Sequence, residues 1–517
     1  MSFQIKNSGE AYDGIIVGSG AEGGMASKIL SEAGLSVAVV EAGDDVDKAI
    51  GGEDIDSEPY TRKNGTEFDW FFSRRKFLAT TASLIASPLL LNIPAFAGNS
   101  DKKLRHVCVG VGGMGGHDLQ RFIAHPDVEI IAICDVDEER LQKAAELVPN
   151  ARKYSDWRIL LKEEAKNFDS INVSIPDHNH FAVSINAIKM GKHVYCQKPM
   201  CHDVSEIREL TNAAIKAGIV SQLGTQHASG KGDRTAVQWI KEGHIGKIKR
   251  VYLCSNRPGA TEAYRFPGPR PVDGQDPPSE LNWDLWTGTA PLRPYNPAIY
   301  HPTKWRAWQD FGTGWSGDIG CHIFDAVWKG LGLQSPISVQ ARVQESWENS
   351  PERRADTWPQ SNHLTWVFPG NEMTESEELT VEWFDGEFYP PEEVRALFSV
   401  ENYPAESAML VGTEGALLIP HTKLPVLLPE SKFQQVQYPE LEERDHYHHF
   451  VDACLGKTKT ESHFAQSGPM TEAIILGTVA IREPQKVLNW DAKRMKISNH
   501  PEAEKYLSRK YRKDWEV

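Results

Sequence analysis

The stretch of this 517-residue chain whose residue types and spacing point most directly to chemistry is a run of glycines, Gly110-Val-Gly112-Gly113-Met114-Gly115. It follows the apolar run His106–Val109 and opens a helical stretch, His117–Ile123. Gly110 permits a tight turn out of a strand, Gly112 lets backbone approach a pyrophosphate, and Gly115 lets helix pack on strand. The helix N-terminus adds unpaired N–H groups and partial positive charge for phosphates. Asp135, about 20 residues further on, ends the run Ile130–Cys134. A carboxylate there accepts hydrogen bonds from ribose hydroxyls and repels a 2′-phosphate. The motif predicts NAD in preference to NADP.

Such a loop must be held by a sheet, and residues 104–226 carry the pattern of one. Short apolar runs at Val107–Val111, Ile130–Cys134, Ser170–Ile175, His193–Cys196 and Val220–Leu223 alternate with helical stretches at His117–Ile123, Glu138–Glu146, His180–Met190 and Val204–Ala217. That rhythm predicts a parallel sheet covered on both faces, a Rossmann dinucleotide-binding domain. Over 227–517 the pattern changes. Ile248–Cys254, Pro336–Ser346, Ser361–Phe368, Leu379–Phe384, Ala408–Val411 and Ala416–Ile419 read as successive strands. They predict an α+β domain with a mostly antiparallel, open sheet. The fold class is therefore α/β followed by α+β. Residues 257–312 form a Pro/Gly/Trp-rich insertion, long enough to imply a function.

The bulk numbers narrow the class. A net charge of −15 without a long basic tract argues against nucleic-acid binding. The seven cysteines form no Cys-x-x-Cys pair, which argues against a disulfide framework or a zinc ribbon.

Residues 1–72 and 73–103 read as two further pieces. Tyr12 to Gly24 holds a second glycine fingerprint, with Glu41 closing the run Leu35–Val40. It resembles the opening βαβ unit of the glucose–methanol–choline flavin oxidoreductases over residues 10–45 only. The fingerprint is incomplete and one βαβ unit cannot enclose FAD, so FAD is not expected. Ser73-Arg74-Arg75-Lys76-Phe77-Leu78, an apolar run from Leu84 to Ile93, and Ala95-Phe-Ala97 follow. This order matches a twin-arginine export signal, implying a periplasmic or otherwise exported protein if it works and a cytoplasmic one if it does not. Pro88 breaks the run, so no stable membrane span is expected. Whether residues 1–72 are a genuine part of the native protein stays open.

Tyr195-Cys196-Gln197-Lys198-Pro199-Met200 ends a predicted strand, where parallel sheets build their sites. With the glycine loop it resembles the Gfo/Idh/MocA family of nicotinamide-dependent sugar oxidoreductases, whose hallmark here is Glu-Lys-Pro. This chain keeps the lysine and has an amide where the carboxylate stands. Pro176-Asp-His-Asn-His180, Gly243-His-Ile-Gly246 and Gly317-Asp318-Ile-Gly-Cys-His322 extend the resemblance over residues 104–460. It implies that Lys198, Asp318 and His322 form the catalytic group. Asp318 and His322 stand at i and i+4, hence on one helix face, and Asp325 can share it. A histidine can take the proton of a sugar hydroxyl as its carbon loses hydride. A lysine ammonium stabilises the developing alkoxide; the two roles could be exchanged. Asp318 would orient His322 or bind a neighbouring hydroxyl. The resemblance also places Pro176 beside the nicotinamide and Gln197 at its ribose, and leaves His180 between capping a helix and touching cofactor.

Six of the fifteen tryptophans fall between Trp283 and Trp328, and aromatic faces can stack on pyranose rings. Most are expected to pin the insertion down; Trp305 or Trp308 are the candidates for sugar contact, with Arg306 and Asp325 as further substrate residues. His446, His448 and His449 lack the spacing of a metal site, and no metal is expected.

These readings converge on a hydride transfer between nicotinamide and a carbinol carbon of a sugar, sugar derivative or cyclic polyol. One alternative is an NAD-dependent glycoside hydrolase or lyase working by transient oxidation and elimination. The other is a non-catalytic sugar-binding subunit, with a flavin oxidoreductase as its partner. A homo-oligomer through the open sheet is expected by fold analogy.

Overall fold

The computed structural model describes residues 103–257 and 269–517, together with the backbone of two short strands nearer the N-terminus. Those two, β1 (Gly14–Val17) and β2 (Val37–Val40), pair in parallel within a separate unit. The twin-arginine stretch and the rest of the flavin-type fingerprint lie outside the described residues.

A six-stranded parallel sheet carries the glycine loop. Its order is β5 (Arg152–Tyr154), β4 (Val128–Cys134), β3 (Leu104–Val109), β6 (Ser170–Val173), β7 (His193–Cys196), β8 (Ser221–Leu223). The order reverses beside β3, so a crevice opens at the carboxyl ends of β3 and β6, where such sheets bind dinucleotides. Every residue of β6 is buried, as expected of a strand covered on both faces. The cover is α1 (Met114–Ile123), α2 (Glu138–Leu147), α3 (Trp157–Glu164), α4 (His180–Lys189) and α5 (Val204–Ala217). Strand β5 and helix α3 have no counterpart in the sequence reading. Arg-Lys-Tyr is no apolar run, and β5 exists because it completes the ladder beside β4.

The second sheet has nine strands, in the order β15 (Val426–Leu428), β14 (Ala416–Pro420), β13 (Glu406–Gly412), β9 (Ile248–Ser255), β12 (Glu378–Asp385), β11 (Asn362–Pro369), β10 (Ser338–Val343), β16 (Val487–Asp491), β17 (Lys496–Ile497). Every pairing is antiparallel except β9 with β12. Along β11 buried and half-buried residues alternate, so one face is packed and the other stands open. The helices α6 (Lys231–Glu242), α7 (Gly314–Leu331), α8 (His446–Cys454) and α9 (Phe464–Arg482) follow α5, and the packed face lies under α7 and α9: Trp366 donates its indole N–H to the Ala473 carbonyl (2.8 Å), and Phe324 packs on Trp366 and Phe368. The strand expected over Pro336–Ser346 stops at Val343. Glu345–Glu348 turns helical so that Trp347 can bury its ring and reach the Thr357 carbonyl (3.0 Å).

Apolar side chains of both sheets belong to one continuous core, from Val107 and Val173 to Leu364 and Trp490. Arg208 on α5 grips Glu472 on α9 through two hydrogen bonds of 2.7 and 2.6 Å. Gly468 lets those helices touch, since a Cβ there would lie 2.1 Å from Thr211 Oγ1.

The described part of the insertion has its own aromatic core of Trp283, Trp286, Tyr300, Trp305, Trp308 and Phe311. It laps onto the corner after β4. Glu138 N–H donates to the Glu280 carbonyl (2.8 Å), Asn282 N–H to the Val136 carbonyl (2.9 Å), and His301 pairs with Asp137 (3.0 Å). The insertion therefore covers the flank of the crevice next to Asp135.

Two buried histidines make the fold acid-sensitive. Burial pulls His106 and His446 down to about 3 from 6.5. Below pH 6.5 the unfolded chain takes up protons that the folded chain refuses, so stability falls with pH. Each group contributes about 1.4 kcal/mol per pH unit. From these two groups alone, urea unfolding is expected to show stability lower by about 4 kcal/mol at pH 5 than at pH 7; a midpoint unchanged between the two contradicts it.

Candidate active site

The glycine loop is shaped by close approach. Gly110 has φ +83° and a Cβ there would sit 2.3 Å from the Ser174 carbonyl oxygen; one on Gly115 would sit 2.1 Å from the Gly110 carbonyl oxygen. Gly113 caps α1 at φ 52°, and Met114, the first residue of the helix, is exposed. Gly112 lies against the Arg140 side chain, where a Cβ would come within 2.3 Å of Cδ. The result is bare backbone at a helix N-terminus, with a guanidinium beside it: a cradle for a pyrophosphate.

Asp135 ends β4 as expected. Its carboxylate accepts the backbone N–H of Val111 (2.9 Å) and of Asp137 (3.0 Å), which couples its position to the glycine loop. Burial pushes its carboxyl up from the usual range, while those two N–H groups pull it down. A carboxylate has about four lone-pair sites, so acceptor capacity remains for ribose hydroxyls. Asp135→Asn is expected to weaken NAD binding about tenfold and to narrow the preference over NADP. Titration with both nucleotides checks this; unchanged selectivity contradicts it.

Lys198 and Asp318 come from different sheets' elements and meet at 2.6 Å. Lys198 follows β7 in a turn with a cis peptide to Pro199, and Asp318 lies in the second turn of α7. Arg306 reaches the other carboxylate oxygen at 3.3 Å. His322 stands one turn further along α7, close enough to feel the Lys198 charge. Burial first, and Lys198 second, hold its imidazole well below 6.5, so it is neutral at pH 7. Its Nδ1 is buried without a hydrogen-bond partner. Asp318 thus anchors the lysine.

Three residues join this group that the sequence did not single out. His421, after β14, and His227, after β8, approach His322 with ring centroids at 5.4 and 6.2 Å. Partial desolvation lowers both, His421 to about 4, although His227 keeps an exposed edge, so the cleft presents three neutral imidazoles beside one ammonium. Asp177 is buried, accepts a hydrogen bond from the Thr313 hydroxyl (3.0 Å) and faces Asp318. Burial raises its carboxyl, against the pull of His180, while Asp318 pushes the same way as burial.

Several expected contacts are corrected. Gln197, expected at the nicotinamide ribose, turns its amide Nε2 to Asp118 on α1 (2.8 Å). His180 closes the short turn Asp177–Asn179 with its backbone N–H, while its ring turns to two backbone carbonyls. It is buried with its ring nitrogens 2.7 Å from the Pro199 carbonyl and 2.6 Å from that of Ile175. Two acceptors demand two N–H groups, hence an imidazolium. Burial opposes that charge, yet the Cys196 sulfur, Asp177 and the Pro199 carbonyl outweigh it and lift the ring to about 9. Pro176, in extended conformation, starts the short turn Asp177–Asn179 between these two loops.

Trp305 is buried in the insertion core and carries Arg306 on its face at 4.3 Å, so it supports a cation and does not stack on sugar. Trp308 is fully buried, its N–H on the Ile299 carbonyl (2.6 Å). Asp325 does not reach the cleft: it is buried against Lys329 at 2.7 Å. His446 is likewise structural, bonded to the Ser229 hydroxyl and the Leu223 carbonyl.

Comparison with known proteins follows this geometry. Residues 104–225 match the model described as oxidoreductase family, NAD-binding Rossmann fold, and 234–364 the model of its C-terminal alpha/beta domain. A glycosyl hydrolase family 109 protein of Stenotrophomonas maltophilia is 26% identical over 34% of this chain and 40% of its own length. D-glucoside 3-dehydrogenase of Escherichia coli is 26% identical over 46% of this chain and 57% of its own. The chain thus spans about half the length of these curated relatives. The structure of WlbA dehydrogenase from Bordetella pertussis, in complex with NADH and UDP-GlcNAcA, superposes with a TM-score of 0.51 at 16% identity. It covers 75% of this chain and 99% of that one. Over residues 104–225 and 234–364, the chain matches the two domain models of the Gfo/Idh/MocA family of oxidoreductases.

Proposed function

We propose that the protein is an NAD-dependent oxidoreductase that moves hydride between nicotinamide and a carbinol carbon of a sugar, sugar derivative or cyclic polyol. The observation that carries the reading is the Lys198–Asp318 pair with His322 one turn away, beyond the carboxyl ends of the strands that hold the glycine loop. The cradle of Gly110, Gly113 and Gly115 fits a dinucleotide because a side chain at any of them would fill it or strain it. When bound, NAD accepts or returns the hydride. Lys198 holds the substrate oxygen as its negative charge develops. His322, neutral and half-buried, takes the hydroxyl proton on the ring edge that is not buried. Asp318, itself braced by Arg306, fixes the lysine, and His227 and His421 offer further hydrogen bonds to hydroxyls.

The D-glucoside 3-dehydrogenase relative supports a pyranoside or polyol substrate. The relative named a family 109 glycosyl hydrolase supports a second reading, redox-neutral glycoside cleavage that begins with the same oxidation. An aryl glycoside distinguishes them: NADH accumulates in the first case, and phenol without net NADH in the second. Neither product from a panel of glycosides and inositols, with nucleotide bound, contradicts both.

Export through Ser73–Ala97, assembly of copies through the open face of the nine-stranded sheet, and a flavin-dependent partner belong to the same proposal. For an exported enzyme the nucleotide stays bound between turnovers and is recycled by a second substrate. Native mass spectrometry of the secreted protein tests this: a mature N-terminus after Ala97 and a retained nucleotide are expected.

A further inference from the structure

Asp118 is the buried charge that the reaction scheme leaves unused. It lies on the sheet-facing side of α1, one turn after Gly115, and its side chain is wholly inaccessible. Three neutral donors hold it: Ser174 Oγ at 2.6 Å, Tyr447 Oη at 2.7 Å and Gln197 Nε2 at 2.8 Å. The nearest positive group is His117, 3.9 Å away and more than half exposed. Lys198, though adjacent in sequence to Gln197, is already paired with Asp318. A buried carboxylate whose three close donors are all neutral, with only the half-exposed His117 ring near it, exerts its field on whatever lies above it.

What lies above it follows from the topology. Ser174 and Gln197 are the first residues beyond the carboxyl ends of β6 and β7. Open parallel sheets bind ligands in the crevice outside those ends. Asp118 therefore sits under the crevice floor, fixed to the two loops that border it. One of these loops carries Lys198.

We propose that Asp118 is a positioning residue that also sets the redox balance of the bound nucleotide. This rests on the reading of the protein as NAD-dependent. Through Gln197 it fixes the turn that presents Lys198. Through its charge it favours the oxidised nicotinamide ring, which is cationic, over the reduced ring, which is neutral. Gln197 fits this arrangement because it donates. A carboxylate at 197 would face Asp118 with no proton to share.

Redox titration of the nucleotide-loaded protein, followed at the NADH absorbance band, tests the proposal. Asp118→Asn is nearly isosteric and removes the charge; its amide oxygen can keep Ser174 and Gln197 while its NH2 turns to the Tyr447 hydroxyl, which can accept. It is expected to lower the preference for NAD+ over NADH about tenfold, raising the midpoint potential of the bound couple by about 30 mV. Asp118→Asn with Gln197→Glu moves the carboxylate across the same hydrogen bond and is expected to restore the wild-type ratio within about threefold. Gln197→Met, which removes a hydrogen bond but no charge, is expected to lower kcat and leave the ratio alone.

A ratio unmoved in Asp118→Asn overturns the proposal. So does a double variant shifted as far as the single one. If Asp118→Asn does not fold, the double variant decides: a tenfold shift there overturns the charge argument. A wild-type protein that binds neither NAD+ nor NADH overturns the NAD-dependent reading and this proposal together. Binding of both with an unmoved ratio overturns only the latter.

Discussion

Lys198→Met is expected to lower kcat by about a thousandfold while NAD affinity changes by less than about threefold. The substitution keeps the aliphatic stem and removes the ammonium that Asp318 holds at 2.6 Å. No part of the glycine loop depends on it, so nucleotide titration should look ordinary. Arg306 lies 3.3 Å from the same carboxylate and keeps Asp318 paired in the variant. The loss should therefore appear in the chemical step and not in folding. Steady-state kinetics beside a thermal midpoint checks both halves. More than a tenth of wild-type turnover would remove Lys198 from the chemistry.

His322→Asn is expected to lower kcat/KM for oxidation by about a hundredfold to a thousandfold, with a change in the shape of the pH profile. In the wild type, burial and Lys198 hold this imidazole well below 6.5. The base is therefore competent at neutral pH, and activity declines only as pH falls beneath the ordinary histidine range. Removing the base should abolish that acid limb. Asp177 is the rival: it is buried, faces the same carboxylate, and its carboxyl is pushed up. An acid limb that survives in His322→Asn and vanishes in Asp177→Asn would transfer the base to Asp177.

How much of this was legible before coordinates depended on how local the signal was. Gly110, Gly115 and Asp135 could be read because each does its work within one βαβ unit. Asp318 and His322 could be placed on one helix face because the i, i+4 relation is fixed by helix geometry. The imidazoles of His227 and His421 could not be found, since neither shares an element with His322 and no spacing encodes their approach. Asp177 stood inside a motif already noted, but its burial against Asp318 is a tertiary fact.

The aromatic count misled in a specific way. Tryptophans suit a sugar platform and a hydrophobic core equally, and composition does not say which way a ring faces. In the insertion they face inward, and Trp305 contributes through the arginine lying on it. Gln197 failed for a similar reason. Its position after a strand was right, while its partner, Asp118, belongs to another element. The short edge strands β5 and β17 were missed because sheet edges need few apolar residues, and β15, Val-Leu-Leu, because three residues are too few to show a strand period.

The apolar core running unbroken between the two sheets has a thermodynamic corollary. Neither layer can melt without stripping the other of packing, so calorimetry of residues 104–517 should trace a single endotherm, not one per sheet. Saturating nucleotide should displace that entire peak upward, by RT ln(1 + [L]/Kd), about 2.7 kcal/mol at a hundredfold excess over Kd. Binding at one edge of the molecule would thereby brace its far rim.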